Sequence, residues 1–348
     1  MRTIIKGIFI ASLGLIFYSC KTSQRTASTK NFLYPFVKDD QVGFLNGNLD
    51  KQISAKFRFM DNRVWPYHFS EGLAAVNFFG RIGYIDRNGK IRINPKFDYA
   101  EAFHEGLALV KVNGQYGYID KSGNFKIKPQ FQRAHSFRNG KAAVQLPENG
   151  KWGYIDPSGN YVIEPKFTAA KNFHEGLALI QTPEHKEWGF INPEGKIVIK
   201  PQYPAAKSFS EGLAPVQLGF EQWGYINKNG ATVIGSKFLV AEPFSEGKAV
   251  VAMPVDNADL EHKKYGYINK RGQFVIKPQY DHAYSFHEGL ARIKMNNQYG
   301  FINAQGKVVA DPIYDRAWDF RGDMAMVQLG QKFGYINKQG IFVVDPVS

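Results

Sequence analysis

Residues that could do chemistry recur at fixed places along this chain, and three kinds recur most regularly. An aromatic residue precedes a repeated glycine, and such rings could stack on sugars or on nucleic-acid bases. A glutamate precedes a second repeated glycine, and a column of carboxylates could bind cations such as Ca²⁺. A histidine precedes that glutamate in three copies, at His104, His174 and His287.

The aromatic positions favour packing over a binding surface. Trp, Tyr and Phe replace one another there, and Ile82 replaces them in one copy, which suits a buried contact better than a defined ring stack. We therefore predict a structural core column of rings, with a surface ladder for sugars or bases as the alternative. The column comprises Tyr116, Trp152, Trp188, Trp223, Tyr265, Tyr299 and Phe333.

The recurring glutamates are predicted to support turns. Each carboxylate is expected to accept backbone N–H groups in its own turn, a role that tolerates Asn139 and Arg321 in two copies. The three histidines lie in copies that are not adjacent, so no metal site is expected. The glutamates are Glu71, Glu105, Glu175, Glu211, Glu246 and Glu288.

Motif and charge evidence argues against an enzyme. The sequence has no nucleophile elbow, phosphate-binding loop, zinc-protease helix motif or nucleotide-binding fingerprint, so we predict no catalytic residues and no cofactor. The single cysteine excludes disulfides within the chain. A formal net charge of +13 is compatible with an anionic partner, but the predicted export argues against nucleic acid.

The amino terminus is typical of a bacterial lipoprotein. Residues 1–19 combine a basic start with an apolar run too short to span a bilayer, as in a signal peptide. Phe17 to Cys20 resembles a lipobox, which makes Cys20 the predicted lipidation site. Residues 20–30 are polar and predict a flexible tether. We expect a lipid-anchored protein of the cell envelope, at the periplasmic or surface side of the outer membrane.

The remaining chain, residues 31–348, is one motif repeated nine times. One clear copy runs from Leu107 to Gly140. The glycine that follows the aromatic residue recurs every 34 to 42 residues, at Gly43, Gly83, Gly117, Gly153, Gly189, Gly224, Gly266, Gly300 and Gly334.

Each copy predicts a three-stranded antiparallel meander. The residues around Leu109 and Tyr118 favour strands, and Asp120 to Gly123 is typical of a tight hairpin turn, with a bulge after it. A third strand is expected to stop at Pro129, because proline cannot donate a hydrogen bond to a sheet. An irregular return then leads to the next copy.

The chain resembles the bacterial WG β-repeat family. The segments Trp152–Asp156, Trp188–Asn192 and Trp223–Asn227 carry this resemblance, and it extends over residues 31–348. The resemblance implies no shared catalytic residues and a variable number of copies. It favours an all-β fold of tandem meanders in an open, curved solenoid, and a closed β-propeller is the alternative.

One variable loop in each copy suggests where partners bind. Insertions between the first two strands would all lie on one rim of the array, which is often the binding rim; drift in unselected loops is the alternative. We predict a monomeric, non-enzymatic scaffold that binds an envelope protein, and a glycan-binding module for polysaccharide is the alternative. The candidate rim residues are Asn149, Lys151, Glu184, His185, Lys186, Asp256, Asn257, Asp259, Glu261 and His262.

Overall fold

A computed structural model describes residues 32–58, 68–256 and 259–347. The described chain is built from β-strands and turns, as predicted, and it contains no helix. Within it, no helix has the length and hydropathy needed to cross a membrane. The predicted signal peptide, the lipidation site Cys20 and the whole predicted tether, residues 20–30, lie outside the described residues.

The strands form nine small antiparallel sheets in the described residues, each made of strands consecutive in sequence. We number these sheets as blades 1 to 9. Blade 1 contains β1 (Tyr34–Lys38), β2 (Gln41–Leu45) and β3 (Lys51–Arg58). Blade 2 contains β4 (Leu73–Phe78), β5 (Arg81–Asp86) and β6 (Ile91–Phe97). Blade 3 contains β7 (Tyr99–Ala100), β8 (Ala108–Val112), β9 (Gln115–Ile119) and β10 (Phe125–Phe131). Blade 4 contains β11 (Arg133–Ala134), β12 (Ala142–Gln145), β13 (Trp152–Ile155) and β14 (Tyr161–Phe167). Blade 5 contains β15 (Ala169–His174), β16 (Leu177–Thr182), β17 (His185–Ile191) and β18 (Ile197–Tyr203). Blade 6 contains β19 (Leu213–Gly219), β20 (Gln222–Asn227) and β21 (Thr232–Phe238). Blade 7 contains β22 (Val240–Ala241), β23 (Ala249–Asp256), β24 (Asp259–Ile268) and β25 (Phe274–Tyr280). Blade 8 contains β26 (His282–His287), β27 (Leu290–Met295), β28 (Gln298–Asn303) and β29 (Val308–Tyr314). Blade 9 contains β30 (Arg316–Ala317), β31 (Met324–Leu329), β32 (Lys332–Asn337) and β33 (Phe342–Val347).

Most blades have one strand more than the meander predicted from the sequence. We call the four strands A to D in chain order; the short strand A lies in the segment expected to be irregular. In blade 3, Tyr99 pairs with Lys111 and Ala100 with Val110. In blade 6, a single bridge between Ala206 and Val216 takes the place of strand A. In blade 3, two residue pairs are enough to align strand A on strand B. A strand of two residues is too short to produce a recognisable pattern in the sequence.

Strand D also continues further than predicted. In blade 3 it runs from Phe125 to Phe131 and passes through Pro129. Its register against strand C shifts twice, so the bulge predicted after the turn is confirmed. Because strand D lies at the edge of its sheet and is bulged there, a proline without an N–H group is tolerated.

The hairpin turn between strands C and D is confirmed in detail. Asp120 Oδ1 accepts hydrogen bonds from Ser122 N at 2.9 Å and from Asn124 N at 3.0 Å. Gly123 N donates to Asp120 O at 2.9 Å. Gly123 has φ of +83°, which glycine adopts without steric cost.

Each hydrophobic core lies between two blades. One buried cluster joins Tyr84 and Phe97 of blade 2 to Phe103 and Val110 of blade 3. Similar clusters occupy the other junctions between consecutive blades. A single blade therefore buries its apolar face only against its neighbours, as expected of a repeat protein.

A further cluster joins the last blade to the first. Tyr34 and Leu45 of blade 1 pack against Met324, Met326 and Tyr335 of blade 9. Nine blades therefore have nine buried junctions, whereas an open array would have eight. The chain forms a closed ring, a β-propeller. The preferred prediction of an open solenoid was wrong, and the alternative is what the structure adopts. The number of copies could not distinguish a closed ring from an open solenoid, because closure depends on the rotation between neighbouring blades.

Candidate interaction face

The up-and-down strand order gives the ring two different faces. The turns between strands B and C lie on one face, together with the connections from each strand D to the next strand A; we call this the loop face. The A–B and C–D turns lie on the opposite face, which we call the turn face. Strands provide a rigid frame for both sets of turns, so residues at the turns are held in fixed relative positions.

The described rim residues lie on the loop face. The exposed members in the described part are Asn149, Lys151, Glu184, His185, Lys186, Asp256, Glu261 and His262. Asn257 lies outside the described residues, and Asp259 is described only as the first residue of β24. The rim residues are spread over three blades, so the structure does not bring them into one cluster.

The longest rim loop is a hairpin extension rather than a free loop. Met253 pairs with Lys264, and Asp256 pairs with Asp259, so strands B and C of blade 7 continue well beyond their neighbours. Lys264 Nζ lies 2.5 Å from Asp281 Oδ1, which ties the base of the hairpin to the next blade. A cavity of about 360 Å³ lies at this junction.

Exposed apolar side chains mark the tips of the loop face. Phe79 is 89% exposed and Phe220 is 87% exposed, the highest values among the large hydrophobic residues described. Each lies in the two-residue turn between strands B and C, in blades 2 and 6. Val255 and Leu260 are exposed on the hairpin of blade 7. The sequence analysis did not identify these residues. The sequence does contain an indication of Phe79, because phenylalanine stands there in a turn position that is Asn113 in the copy from Leu107 to Gly140.

The aromatic residues before the repeated glycines line the loop-face end of strand C. Trp152 and Tyr265 are buried, and the other five members of the predicted column are partly buried. Trp152 stacks on His135 with ring centroids 5.4 Å apart, and Tyr265 stacks on His282 at 4.6 Å. Lys207 Nζ lies 5.4 Å from the Trp223 ring. Neighbouring side chains therefore cover much of this aromatic surface.

Three of these rings share one cavity of about 460 Å³ with basic side chains. Arg133 and Lys171 contribute exposed cationic groups to it. Burial, followed by the nearby charge of Lys171, holds the pKa of His135 below its usual value, so this histidine is neutral at pH 7. The cavity can accept an anionic or planar group. Its rings are Tyr116, Trp152 and Trp188.

The repeated glutamates join blades on the turn face. Glu105 Oε1 accepts from Asn139 N at 2.6 Å, and Oε2 accepts from Gly140 N at 2.9 Å, both in the A–B turn of the next blade. The sequence predicted such bonds within each turn, whereas the structure places them between consecutive turns. All six glutamates make this contact, through Glu71, Glu105, Glu175, Glu211, Glu246 and Glu288.

Lysines complete four of these contacts. Lys121 Nζ lies 2.9 Å from Glu71 Oε2, and the C–D turn of the next blade supplies the lysine in each case. Burial opposes ionisation of Glu71, but hydrogen bonds from Lys121 and Gly106 N outweigh it and lower the pKa of the carboxyl. His104, His174 and His287 lie in separate blades, and no group of metal-ligating residues forms in the described part of the chain.

Comparison with known proteins identifies the repeats. A sequence model described as "WG containing repeat" matches seven segments, at residues 82–116, 116–152, 152–182, 188–219, 223–253, 265–299 and 299–333. No curated protein sequence gives a significant match.

Solved structures give a likeness in fold. The crystal structure of a eukaryotic initiation factor is similar at a TM-score of 0.63 and 9% identity, covering 90% of this chain and 94% of that one. BamB from Moraxella catarrhalis is similar at a TM-score of 0.45 and 10% identity, covering 84% and 96%.

Proposed function

Because this chain belongs to the WG-containing repeat family, whose repeats here form a rigid ring, we propose that it is a non-enzymatic scaffold that binds another protein. Its loop face is the binding surface. A lipid on Cys20 holds the ring at the bacterial cell envelope, and residues 20–30 act as the tether.

The observation that carries this proposal is the exposure of Phe79 and Phe220 at turn tips. Large aromatic side chains that project into solvent are unfavourable in water, and they are enriched at the centres of protein interfaces. Blades 2 and 6 are four blades apart in a ring of nine, so the two rings lie on nearly opposite sides of one face. A partner that covers the face can contact both, and separate contacts on a rigid frame reinforce each other.

The proposal is tested by capture of partners in the envelope. The full chain, tagged at its carboxyl terminus, is crosslinked in its own bacterium as wild type, as the Phe79→Ser/Phe220→Ser double variant, and as Ile341→Ser. Ile341 is 61% exposed beside a C–D turn, on the turn face, so it is a matched control for loss of an exposed apolar group. Loss of two interface anchors, each worth about 2 kcal/mol, should reduce the specific partner at least about tenfold, and Ile341→Ser should retain it.

The outcome also separates a protein partner from a glycan. A polysaccharide ligand is favoured by the cavity that contains Tyr116 and Trp188, and its capture would be lost in Trp188→Ala and kept in the double phenylalanine variant. Trp152 offers little surface to a sugar, because it is 7% exposed and stacked on His135. Equal recovery of the same proteins by the wild type and the double variant would contradict the proposal.

A further inference from the structure

The turn face contains a repeated carboxylate contact that the junction between blades 4 and 5 lacks in the described residues. Where a glutamate is present, its carboxylate accepts N–H groups from the A–B turn of the next blade. At the junction of blades 5 and 6, for example, Glu175 accepts from Glu211 N at 2.5 Å and from Gly212 N at 2.9 Å, and Lys228 Nζ lies 3.3 Å from it. These junctions show which chemical group the turn binds.

The junction between blades 4 and 5 has the same turn without the carboxylate. Asn139 replaces the glutamate, and Pro193 stands where the C–D turns of four other blades supply a lysine. The amides of Glu175 and Gly176 lie in a turn with φ of +51° and +85°, the conformation of the equivalent filled turns. Neither amide donates a hydrogen bond within the described chain. A cavity of about 260 Å³ occupies the position, lined by Asn139, Lys141, Phe173, Glu175, Gly176 and Pro193.

Lys141 gives this cavity a positive charge. The equivalent position is leucine in five copies, including Leu107 and Leu177. Lys141 Nζ lies 6.0 Å from the centroid of the Phe173 ring, and the lysine has no ion-pair partner among the described residues. The Glu175 carboxylate is already engaged by blade 6. The junction has therefore exchanged a glutamate for a neutral side chain and a leucine for a cation.

We propose that this cavity is a carboxylate-binding site. A carboxylate from outside the ring accepts hydrogen bonds from Glu175 N and Gly176 N, and it pairs with the Lys141 ammonium group. Two adjacent backbone N–H groups beside a cation are an anion-binding arrangement, and hydrogen bonds to a charged acceptor are stronger than neutral ones. The carboxylate can come from an acidic side chain of a protein or from a small free acid. The site is on the turn face, so it does not depend on the proposed role of Phe79 and Phe220.

The test follows backbone amide resonances of the full chain, at constant ionic strength. The probes are acetate, the peptide acetyl-Ala-Glu-Ala-amide, and the matched peptide with glutamine in place of glutamate. We expect acetate and the glutamate peptide to shift the Glu175 and Gly176 amides saturably and the glutamine peptide to leave them unchanged. Gly289 N, which donates to Glu246 in the equivalent turn of blade 8, is the internal control and should not shift.

Variants separate this site from non-specific anion binding. Asn139→Glu should fill the cavity with the chain's own carboxylate, shift both amides without a probe and weaken binding at least about tenfold, the equivalent of one charged hydrogen bond. Asn139→Gln, of the same size but neutral, should bind as the wild type does. Lys141→Leu, which restores the residue of other copies, should weaken binding without abolishing it.

The outcomes are decisive in both directions. Tighter binding of the glutamate peptide than of acetate identifies a protein side chain as the source, and equal binding identifies a free acid. Absence of a saturable shift in the wild type would overturn the site. An equal shift of Gly289, or an unchanged response in a folded Asn139→Glu variant, would overturn it too. If Asn139→Glu does not fold, the comparison of Gly176 with Gly289 in the wild type still decides.

Discussion

Glutamate at the A–B turn connects blades because its carboxylate reaches further than its own turn. A side chain that bonded only locally would leave the next turn with unpaired N–H groups, and unpaired donors are costly where water is partly excluded. Glu175 has φ of +51°, a conformation that few non-glycine residues adopt. A two-residue hairpin turn of this kind needs a positive φ at both of its residues, and Asn139 has a φ of +53° at the equivalent position.

The same contact makes stability depend on acid. Burial raises the pKa of Glu175, but hydrogen bonds from Gly212 N and Lys228 outweigh it, so the pKa in the folded chain lies below the ordinary value of 4.5. As pH falls, the unfolded state takes up the proton first. The contribution of the Glu175 carboxylate to the free energy of unfolding is therefore complete above about pH 4.5. It disappears as pH falls through the lowered pKa of the folded state.

Glu175→Gln should therefore lower the denaturation midpoint near neutral pH and make it less sensitive to acid. The difference from wild type should shrink as pH falls below the ordinary value of 4.5, as measured by urea unfolding at each pH. Glu148→Gln, at an exposed B–C loop, is the control and should follow the wild-type curve. A Glu175→Gln difference that grows on acidification would show that the carboxylate does not stabilise the junction.

The blade depends on a glycine where strand D crosses strand C closely. A Cβ atom at Gly117 would lie 2.6 Å from Pro129 N and 2.7 Å from Ile127 O, so alanine there must push strand D away. We expect Gly117→Ala to destabilise the protein by about 1–3 kcal/mol, measured as a lower midpoint of thermal or urea unfolding. Gly235 in strand D of blade 6 has open space around its Cβ position, and Gly235→Ala should stabilise by about 0.4–1 kcal/mol or leave stability unchanged. Equal losses in the two variants would contradict the close-approach explanation.

The sequence predicts elements whose bonds lie within one copy. The Asp120–Gly123 turn, the bulge after it and the nine copies follow from side chains that contact their near neighbours in sequence. The bonds of Glu105 to the next turn depend on how the blades pack. Ring closure depends on the same packing, because a small change in rotation at each junction separates a ring from a spiral. The sequence of a single copy, such as Leu107 to Gly140, does not specify the rotation between neighbouring blades.

Across the whole ring, a tyrosine hydroxyl repeats at the junctions. Tyr84, Tyr118, Tyr154, Tyr225 and Tyr267 each donate to a backbone carbonyl 17 residues later, in the next blade, at 2.7–2.8 Å. Burial raises the pKa of Tyr118 well above its usual value, so the hydroxyl keeps its proton. Tyr335 continues the series across the ends of the chain, because it donates to Pro35 O in blade 1.

Closure of the ring rests on side chains rather than on a shared sheet. In the described residues no strand of blade 1 pairs with a strand of blade 9. Tyr34 and Tyr335 each donate across this junction, and their rings pack edge to face at 5.7 Å. The ends of the chain are therefore held together by one buried cluster and a few hydrogen bonds, without the chain connection that links the blades at the other eight junctions.

Tyr335→Phe should loosen blade 1 although the two lie at opposite ends of the sequence. Loss of the hydrogen bond should cost about 0.5–1.5 kcal/mol and speed amide hydrogen exchange of β1 and β2 as well as of blade 9. Tyr118→Phe removes the equivalent bond at an internal junction, so it should speed exchange in blades 3 and 4 and leave β1 unchanged. In an open array, Tyr335→Phe would have no effect on residues 34–45, because their amides would have no contact with blade 9. Unchanged exchange in β1 and β2, with faster exchange in blade 9, would therefore show that the ring is open in solution.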